Sequence, residues 1–140
     1  MTETTRSLTL QSPPDDVDAV HELVAGLWDA RPDVGDLDRM AFETALIELA
    51  SNVIEHADHG QGVTCVVSVT VEGDVMRARL ADGSEPGDFR LVPRDMPGED
   101  AESGRGLAMV QLLCDELTYE RVGDENVWSV RRTRSEPEAS

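Results

Sequence analysis

Several features that would place this 140-residue sequence in a special class of protein are missing from it. No apolar run approaches the roughly 18 residues that a membrane-spanning helix needs. The N-terminal residues do not join a basic patch to an apolar stretch, as a secretory signal does. The two cysteines, Cys65 and Cys114, lie far apart and outside any paired metal or redox motif. We therefore expect a cytoplasmic protein with no membrane contact, in which both thiols are buried and reduced.

Positive charge is also scarce. The chain has 12 Lys and Arg residues against 29 Asp and Glu, a net charge of −17. An acidic surface repels phosphate backbones, which argues against direct nucleic-acid binding and favours a partner with a basic patch. An acidic surface that only keeps the protein soluble explains the net charge equally well. The hydrophobic fraction of 39% is typical of a single globular domain.

Hydrophobic periodicity and turn residues predict the order β-α-α-β-β-loop-α-β-β, without an internal repeat or an interior linker. The predicted strands are 7–11, 63–71, 75–80, 117–121 and 126–132; the helices are 17–28, 37–57 and 106–116; the loop is 81–103. Hairpin-linked strands indicate an α+β two-layer sandwich, with a mixed or antiparallel sheet and helices on one face. The predicted domain spans residues 1–132, and residues 133–140 form a disordered tail.

Three polar residues share one face of the second predicted helix. Glu48, Asn52 and His56 follow each other at intervals of four residues. A carboxylate and a carboxamide one turn apart both offer oxygen to a hard cation such as Mg²⁺, and the carboxylate can take a proton from a hydroxyl. Considered alone, the segment fits a solvated polar stripe better. For His56, helix packing is a better explanation than catalysis.

Two glycine-containing segments could serve a ligand. Asp82-Gly-Ser-Glu-Pro-Gly87 directly follows a strand, where an acid and permissive backbone can receive a ligand amine. Gly104-Arg105-Gly106 precedes an apolar helix, where free N–H groups and an arginine suit phosphate. Each segment also has an explanation without a ligand. The first fits an ordinary loop rich in turn-forming residues, and the second fits a flexible joint between a loop and a helix. A metal cluster at His56, Asp58 and His59 is much less convincing than ordinary surface.

Taken together, these segments resemble the ATP-binding domain of histidine kinases, gyrase-type ATPases and Hsp90-type chaperones, the Bergerat fold. Within this group, the chain looks like the stand-alone anti-sigma-factor serine kinases of bacteria. Residues 47–57 are similar to their asparagine box, and residues 104–117 to their second glycine box. The resemblance covers residues 8–132.

The resemblance implies roles for individual residues and for bound groups. Glu48 would be the general base, Asn52 the Mg²⁺ ligand and Asp82 the acid that recognises adenine. The other residues of the implied ATP site are glycines and lid residues: Gly83, Gly87, Gly104, Arg105, Gly106 and Leu107. The implied cofactors are ATP and Mg²⁺. The implied partners are a sigma factor and an anti-anti-sigma (STAS-type) antagonist, and the implied assembly is a homodimer.

The first glycine box departs from the family pattern. The family usually has glycine two residues after the acid, where this chain has Ser84. The motif could instead be aligned so that Gly83 takes the place of the family glycine, but Ala81 would then stand where the family has its adenine-recognising acid. We therefore prefer the alignment in which Asp82 is that acid. In the lid, about residues 88–103, only Arg90 and Arg94 could reach phosphate.

The predicted function is therefore that of an ATP- and Mg-dependent protein serine kinase that holds a sigma factor and phosphorylates an antagonist. The alternative is a switch or anti-sigma binding module of the same fold that transfers no phosphate. A third possibility is an ATPase without a protein substrate.

Overall fold

Five strands and three helices follow each other in the predicted order. The computed structural model describes residues 3–12, 15–57, 62–83 and 101–135. The strands are β1 (Glu3–Ser12), β2 (Val63–Glu72), β3 (Val75–Asp82), β4 (Glu116–Val122) and β5 (Glu125–Thr133). The helices are α1 (Val17–Ala30), α2 (Asp36–Ala57) and α3 (Ala101–Leu113). None of the helices in these residues is long and apolar enough to cross a membrane.

The five strands form one sheet in the order β1-β2-β3-β5-β4, and every neighbouring pair is antiparallel. Gly73 and Gly123 adopt positive φ angles of 61° and 60° in the tight turns between β2 and β3 and between β4 and β5. Glycine enters this region without the steric cost that a side chain brings, so the two predicted turns are confirmed.

Alternation along the strands separates the two faces of the sheet. In β2 the odd-numbered residues from Val63 to Val71 are buried, and the residues between them are exposed or half-buried. The buried residues join side chains of α1, α2 and α3 in one hydrophobic core, so the helices cover one face. The predicted α+β sandwich is confirmed, with an entirely antiparallel sheet. Below, the side of the sheet that the helices cover is called the helix face, and the opposite side is called the open face.

The first helix begins at Val17, as predicted, and Asp16 caps it. The carboxylate of Asp16 accepts a hydrogen bond from the backbone N–H of Asp18 at 2.9 Å, which satisfies a donor that the first turn leaves unpaired. Its apolar stripe is buried against β1 and α2: Val20, Leu23, Val24, Leu27 and Trp28.

The C-terminal segment extends past the predicted domain boundary at residue 132. Thr133 is the last residue of β5, and the backbone N–H and hydroxyl of Ser135 donate to the Asp38 carboxylate at 3.0 Å. Arg134 donates to the carboxylate of Asp33 and to the carbonyl of Gly73, both at 3.0 Å. Residues 133–135 are therefore attached to the domain, and residues 136–140 of the predicted tail lie outside the described residues.

Candidate functional site

Helix α2 carries the first two predicted site residues. Leu49, Ala50 and Val53 bury one side of the helix in the core, which leaves Glu48 and Asn52 half-buried at its margin. The amide nitrogen Nδ2 of Asn52 donates to the backbone carbonyl of Glu48 at 2.9 Å. This bond fixes the orientation of the carboxamide, so that its oxygen Oδ1 is presented away from the helix backbone as an acceptor.

The chemistry of this pair fits the expected magnesium ion. A hard cation selects oxygen ligands, and Mg²⁺ keeps several waters while taking one or two protein ligands. Asn52 Oδ1 supplies such an oxygen. Within the described residues, the carboxylate of Glu48 forms no hydrogen bond or ion pair, which suits a group that accepts a proton.

The side chain of His56, together with Asp58 and His59, lies outside the described residues. In the part of the chain that the structure does describe, no group of three or more His, Cys, Asp or Glu side chains is placed to hold a metal.

Asp82 lies at the end of β3 and is buried, with 3% of its surface exposed. It pairs with Cys65 on β2 and with Asn126 on β5, so a row of side chains crosses the helix face. Ala81, the residue that the alternative alignment would put in place of the acid, points to the opposite face because successive strand residues alternate. Only Asp82 of the two candidates lies on the same face as α2.

A polar network around Asp82 had no signal in the sequence. Asn126, also buried, donates its Nδ2 to Asp82 Oδ1 at 3.2 Å. Its own oxygen accepts hydrogen bonds from the Tyr119 hydroxyl and from Arg121, the latter at 3.1 Å. Asp82 and Asn126 are 44 residues apart, and only the β3–β5 pairing brings them together. The network holds a buried carboxylate in a defined orientation, which a ligand-recognising acid requires.

Cys65 lies beside this acid. Burial, reinforced by the nearby charge of Asp82, raises the pKa of its thiol to about 12. Burial also raises the pKa of Cys114, to about 11. Both cysteines are free and buried, which confirms the prediction of structural thiols; neither is a nucleophile near neutral pH.

Gly83 follows Asp82 and is exposed. Its φ angle is not positive, and a Cβ atom added to it would meet nothing within 4 Å. Neither backbone conformation nor packing within the described residues therefore requires glycine here, which leaves room for close approach of a ligand. Ser84 and Gly87 lie outside the described residues, as do Arg90 and Arg94.

The start of α3 differs from the prediction. The helix begins at Ala101, five residues before the predicted start at 106, so the predicted loop ends too late. Gly104, Arg105 and Gly106 therefore lie inside the helix and do not precede it. Ala101 and Glu102 explain the earlier start, because alanine is the best helix former and an acid is favourable in the first turn. The unpaired N–H groups of the helix end belong to residues before Gly104.

The predicted phosphate contacts of Gly104, Arg105, Gly106 and Leu107 stay predictions. The structure describes no side chain for residues 101–106. Leu107 is buried, with 7% exposure, and packs in the core, so its side chain holds α3 against the domain.

Comparison with known proteins decides the family. A protein-family description, the histidine kinase-like ATPase domain, matches residues 10–132. The chain belongs to this family. The match spans all three helices and nearly the whole sheet, so the site described above lies within a histidine kinase-like ATPase domain. Membership of this family implies ATP binding.

A solved structure with a TM-score above 0.5 shows the same fold. The RsbU and RsbW domains of Rv1364c from Mycobacterium tuberculosis match at a TM-score of 0.63 and 21% identity, over 96% of this chain and 33% of that chain. The histidine kinase AdeS of Acinetobacter baumannii matches at a TM-score of 0.48 and 16% identity, over 93% of this chain and 68% of that one. This chain thus spans about a third of the first structure. No curated protein matches it.

Proposed function

We propose that this histidine kinase-like ATPase domain is a Mg-ATP-dependent protein serine kinase of the anti-sigma type. The observation that carries the proposal is the arrangement on α2. The amide of Asn52 is anchored to the backbone of Glu48. It presents one oxygen acceptor beside a carboxylate that has no partner among the residues that the structure describes. The sequence around this pair resembles the asparagine box of anti-sigma serine kinases, and the likeness to the RsbW-containing structure supports the same proposal at the level of the fold.

In the proposed reaction Glu48 accepts the proton of a serine hydroxyl on a partner protein as that oxygen attacks the γ-phosphate of ATP, and the bond from the γ-phosphorus to the β,γ-bridging oxygen breaks to release ADP. Asp82, oriented by Asn126, accepts a hydrogen bond from the adenine amino group. Asn52 would hold Mg²⁺ through Oδ1. A bound magnesium ion neutralises charge on the phosphates, and phosphoryl transfer depends mainly on such neutralisation and on positioning. Gly104, Arg105 and Gly106 would contact the phosphates.

The proposed partners are a sigma factor, held by the domain, and an antagonist of the anti-anti-sigma, STAS-like type, which would carry the phosphorylated serine. The proposed assembly is a homodimer. We also propose that the protein acts in the cytoplasm of a bacterium, since both partners would be found there. These proposals rest on the resemblance of the two sequence boxes.

A binding module without phosphoryl transfer is the second candidate. Its support is Ser84 in the position where the family pattern has glycine, together with the position of Gly104 and Gly106 inside α3. Capture of a partner by a parent protein that transfers no phosphate to it would favour this candidate over the kinase.

The nucleotide site is tested by thermal unfolding with and without Mg-ATP. A ligand that binds only the folded state at a hundredfold excess over Kd adds about 2.7 kcal/mol to the free energy of unfolding. We expect Mg-ATP to raise the Tm of the parent, and Asp82→Asn to remove the rise, because the carboxamide offers an N–H where the adenine amine needs an acceptor.

The matched control is Asp74→Asn, which makes the same change on an exposed residue in the turn before β3. It should keep the full rise in Tm. An equal loss in both variants, or no rise in the parent at millimolar ATP, would contradict the proposed site.

A further inference from the structure

A row of three polar side chains crosses the helix face of the sheet at the level where β3 ends. Asp82 of β3 pairs with Asn126 of β5. Asn126 pairs in turn with Arg121 of the edge strand β4. Directly opposed residues of antiparallel strands point to the same face of a sheet. Arg121 is therefore separated from the proposed adenine-recognising acid by one intervening side chain.

The amide of that intervening side chain, Asn126, is hydrogen-bonded at both of its ends. Its Nδ2 donates to Asp82 Oδ1 at 3.2 Å. Its Oδ1 accepts from the hydroxyl of Tyr119 and from the guanidinium of Arg121, the latter at 3.1 Å. Rotating the amide by half a turn would set its oxygen against a carboxylate and its N–H groups against two donors. Tyr119 and Arg121 therefore favour the orientation in which Asn126 donates to Asp82.

Burial gives these hydrogen bonds weight. Asp82 and Asn126 are 3% and 1% exposed, and polar groups removed from water are costly unless they are paired. Arg121 is exposed, but a charged donor forms a stronger hydrogen bond than a neutral one. Hydrogen bonds in a chain also polarise one another, so a donor to the amide oxygen strengthens the bond that the amide nitrogen gives. A positive charge at the edge of the sheet thus supports a buried carboxylate two strands away.

We propose that Tyr119 and Arg121 are positioning residues for adenine recognition, acting through Asn126 on the acceptor oxygens of Asp82. The inference rests on the proposed function, in which Asp82 accepts a hydrogen bond from the adenine amino group. That bond needs an acceptor held in place, because hydrogen bonds weaken steeply when their geometry is poor. The two residues therefore determine how strongly the site prefers a base that carries this amino group.

The test compares ATP with purine riboside triphosphate, which lacks only the 6-amino group. Calorimetry on the full chain with Mg²⁺ measures Kd for each nucleotide in the parent, in Tyr119→Phe, in Arg121→Met and in the double variant. The parent should prefer ATP. The preference should fall about threefold in each single variant and roughly tenfold in the double variant, which removes both of these donors from a buried acceptor.

Both single variants should fold. Arg121 is exposed, and Tyr119→Phe keeps the ring that lies 4.7 Å from the ring of Trp128, measured between centroids. The ratio of the two Kd values also separates base recognition from general electrostatics. Loss of a positive charge weakens the attraction of any triphosphate, so this effect is the same for both nucleotides and cancels in the ratio.

The matched control is Arg79→Met, which removes the same charge from an exposed residue on the open face. It should leave the preference for ATP within twofold of the parent value. A fall as large as that of Arg121→Met would assign the effect to net charge and overturn the inference.

The remaining outcomes separate this inference from the proposed function. A parent that binds neither nucleotide, or binds both equally, would contradict adenine recognition by Asp82 and the inference with it. A parent that prefers ATP, with variants that prefer it as strongly, would overturn the inference alone. Equal losses for both nucleotides in Arg121→Met would assign Arg121 to a part of the nucleotide that the two share, and would also overturn the inference alone.

Discussion

Glu48→Gln is expected to lower the rate of ATP-dependent phosphoryl transfer by about two to four orders of magnitude while ATP binding is retained. A general base contributes roughly 10²- to 10⁴-fold, and the glutamine carboxamide cannot accept the hydroxyl proton. The substitution is nearly isosteric, and the hydrogen bond from Asn52 goes to the backbone carbonyl of residue 48, which the change leaves in place. Transfer from labelled ATP to a STAS-type antagonist, with Kd for ATP measured in parallel, checks both halves of this prediction.

Glu55→Gln is the matched control for that experiment. Glu55 lies on the same helix, is exposed and is separated from Glu48 by two helical turns. It should transfer phosphate at close to the parent rate. If Glu48→Gln kept the parent rate, Glu48 would not be the base. If the parent itself transferred nothing while capturing a partner, the binding module would replace the kinase.

Elements that depend on local pattern could be predicted from the sequence. Strand β2 alternates buried and exposed residues along its length, and the turn at Gly73 needs a positive φ angle that glycine accommodates best. The site residues on α2 follow from the helical repeat, which places Glu48 and Asn52 one turn apart. Each of these features is determined by residues only a few positions apart.

Features that depend on strand pairing could not be predicted. The contact of Asn126 with Asp82 crosses 44 residues, and nothing in the segment around Asn126 marks it as different from a strand-edge asparagine. The juxtaposition of Arg77 and Arg131 has the same origin, because they become neighbours only through the order β3-β5 in the sheet. The early start of α3 has a local cause: Ala101 and Glu102 favour a first helical turn although two glycines follow them.

The largest expected loss of stability comes from Asp38, which lies in the first turn of α2 and is 4% exposed. It forms an ion pair with Arg132 of β5 at 3.0 Å, in which both side chains are mostly buried, and it accepts the two hydrogen bonds from Ser135. Arg132 also donates to the carbonyl of Leu113, the last residue of α3, at 2.6 Å. One carboxylate thus connects the start of α2, the end of the sheet and, through Arg132, the end of α3.

Asp38→Asn should lower the free energy of unfolding by about 3 kcal/mol, because it leaves a largely buried guanidinium without its counter-charge. For a domain of this size the corresponding fall in Tm is roughly 10 °C. Asp36→Asn is the control: Asp36 is exposed in the same helical turn, and its substitution should change the free energy by less than about 0.5 kcal/mol. Equal effects in the two variants would show that the ion pair contributes nothing beyond helix-end charge.

The pH dependence of this loss separates the ion pair from simple packing. Burial alone would raise the pKa of Asp38, but hydrogen bonds from Ser135 and Arg132 outweigh it and hold the pKa below its usual value. A carboxylate with a lowered folded-state pKa stabilises the fold at any pH above its unfolded pKa, about 3.9, and this contribution is lost as pH falls through the folded value. The difference between parent and Asp38→Asn should therefore be largest near neutral pH and shrink below about pH 4. Denaturant unfolding across that range measures it, and a difference independent of pH would assign the loss to altered packing.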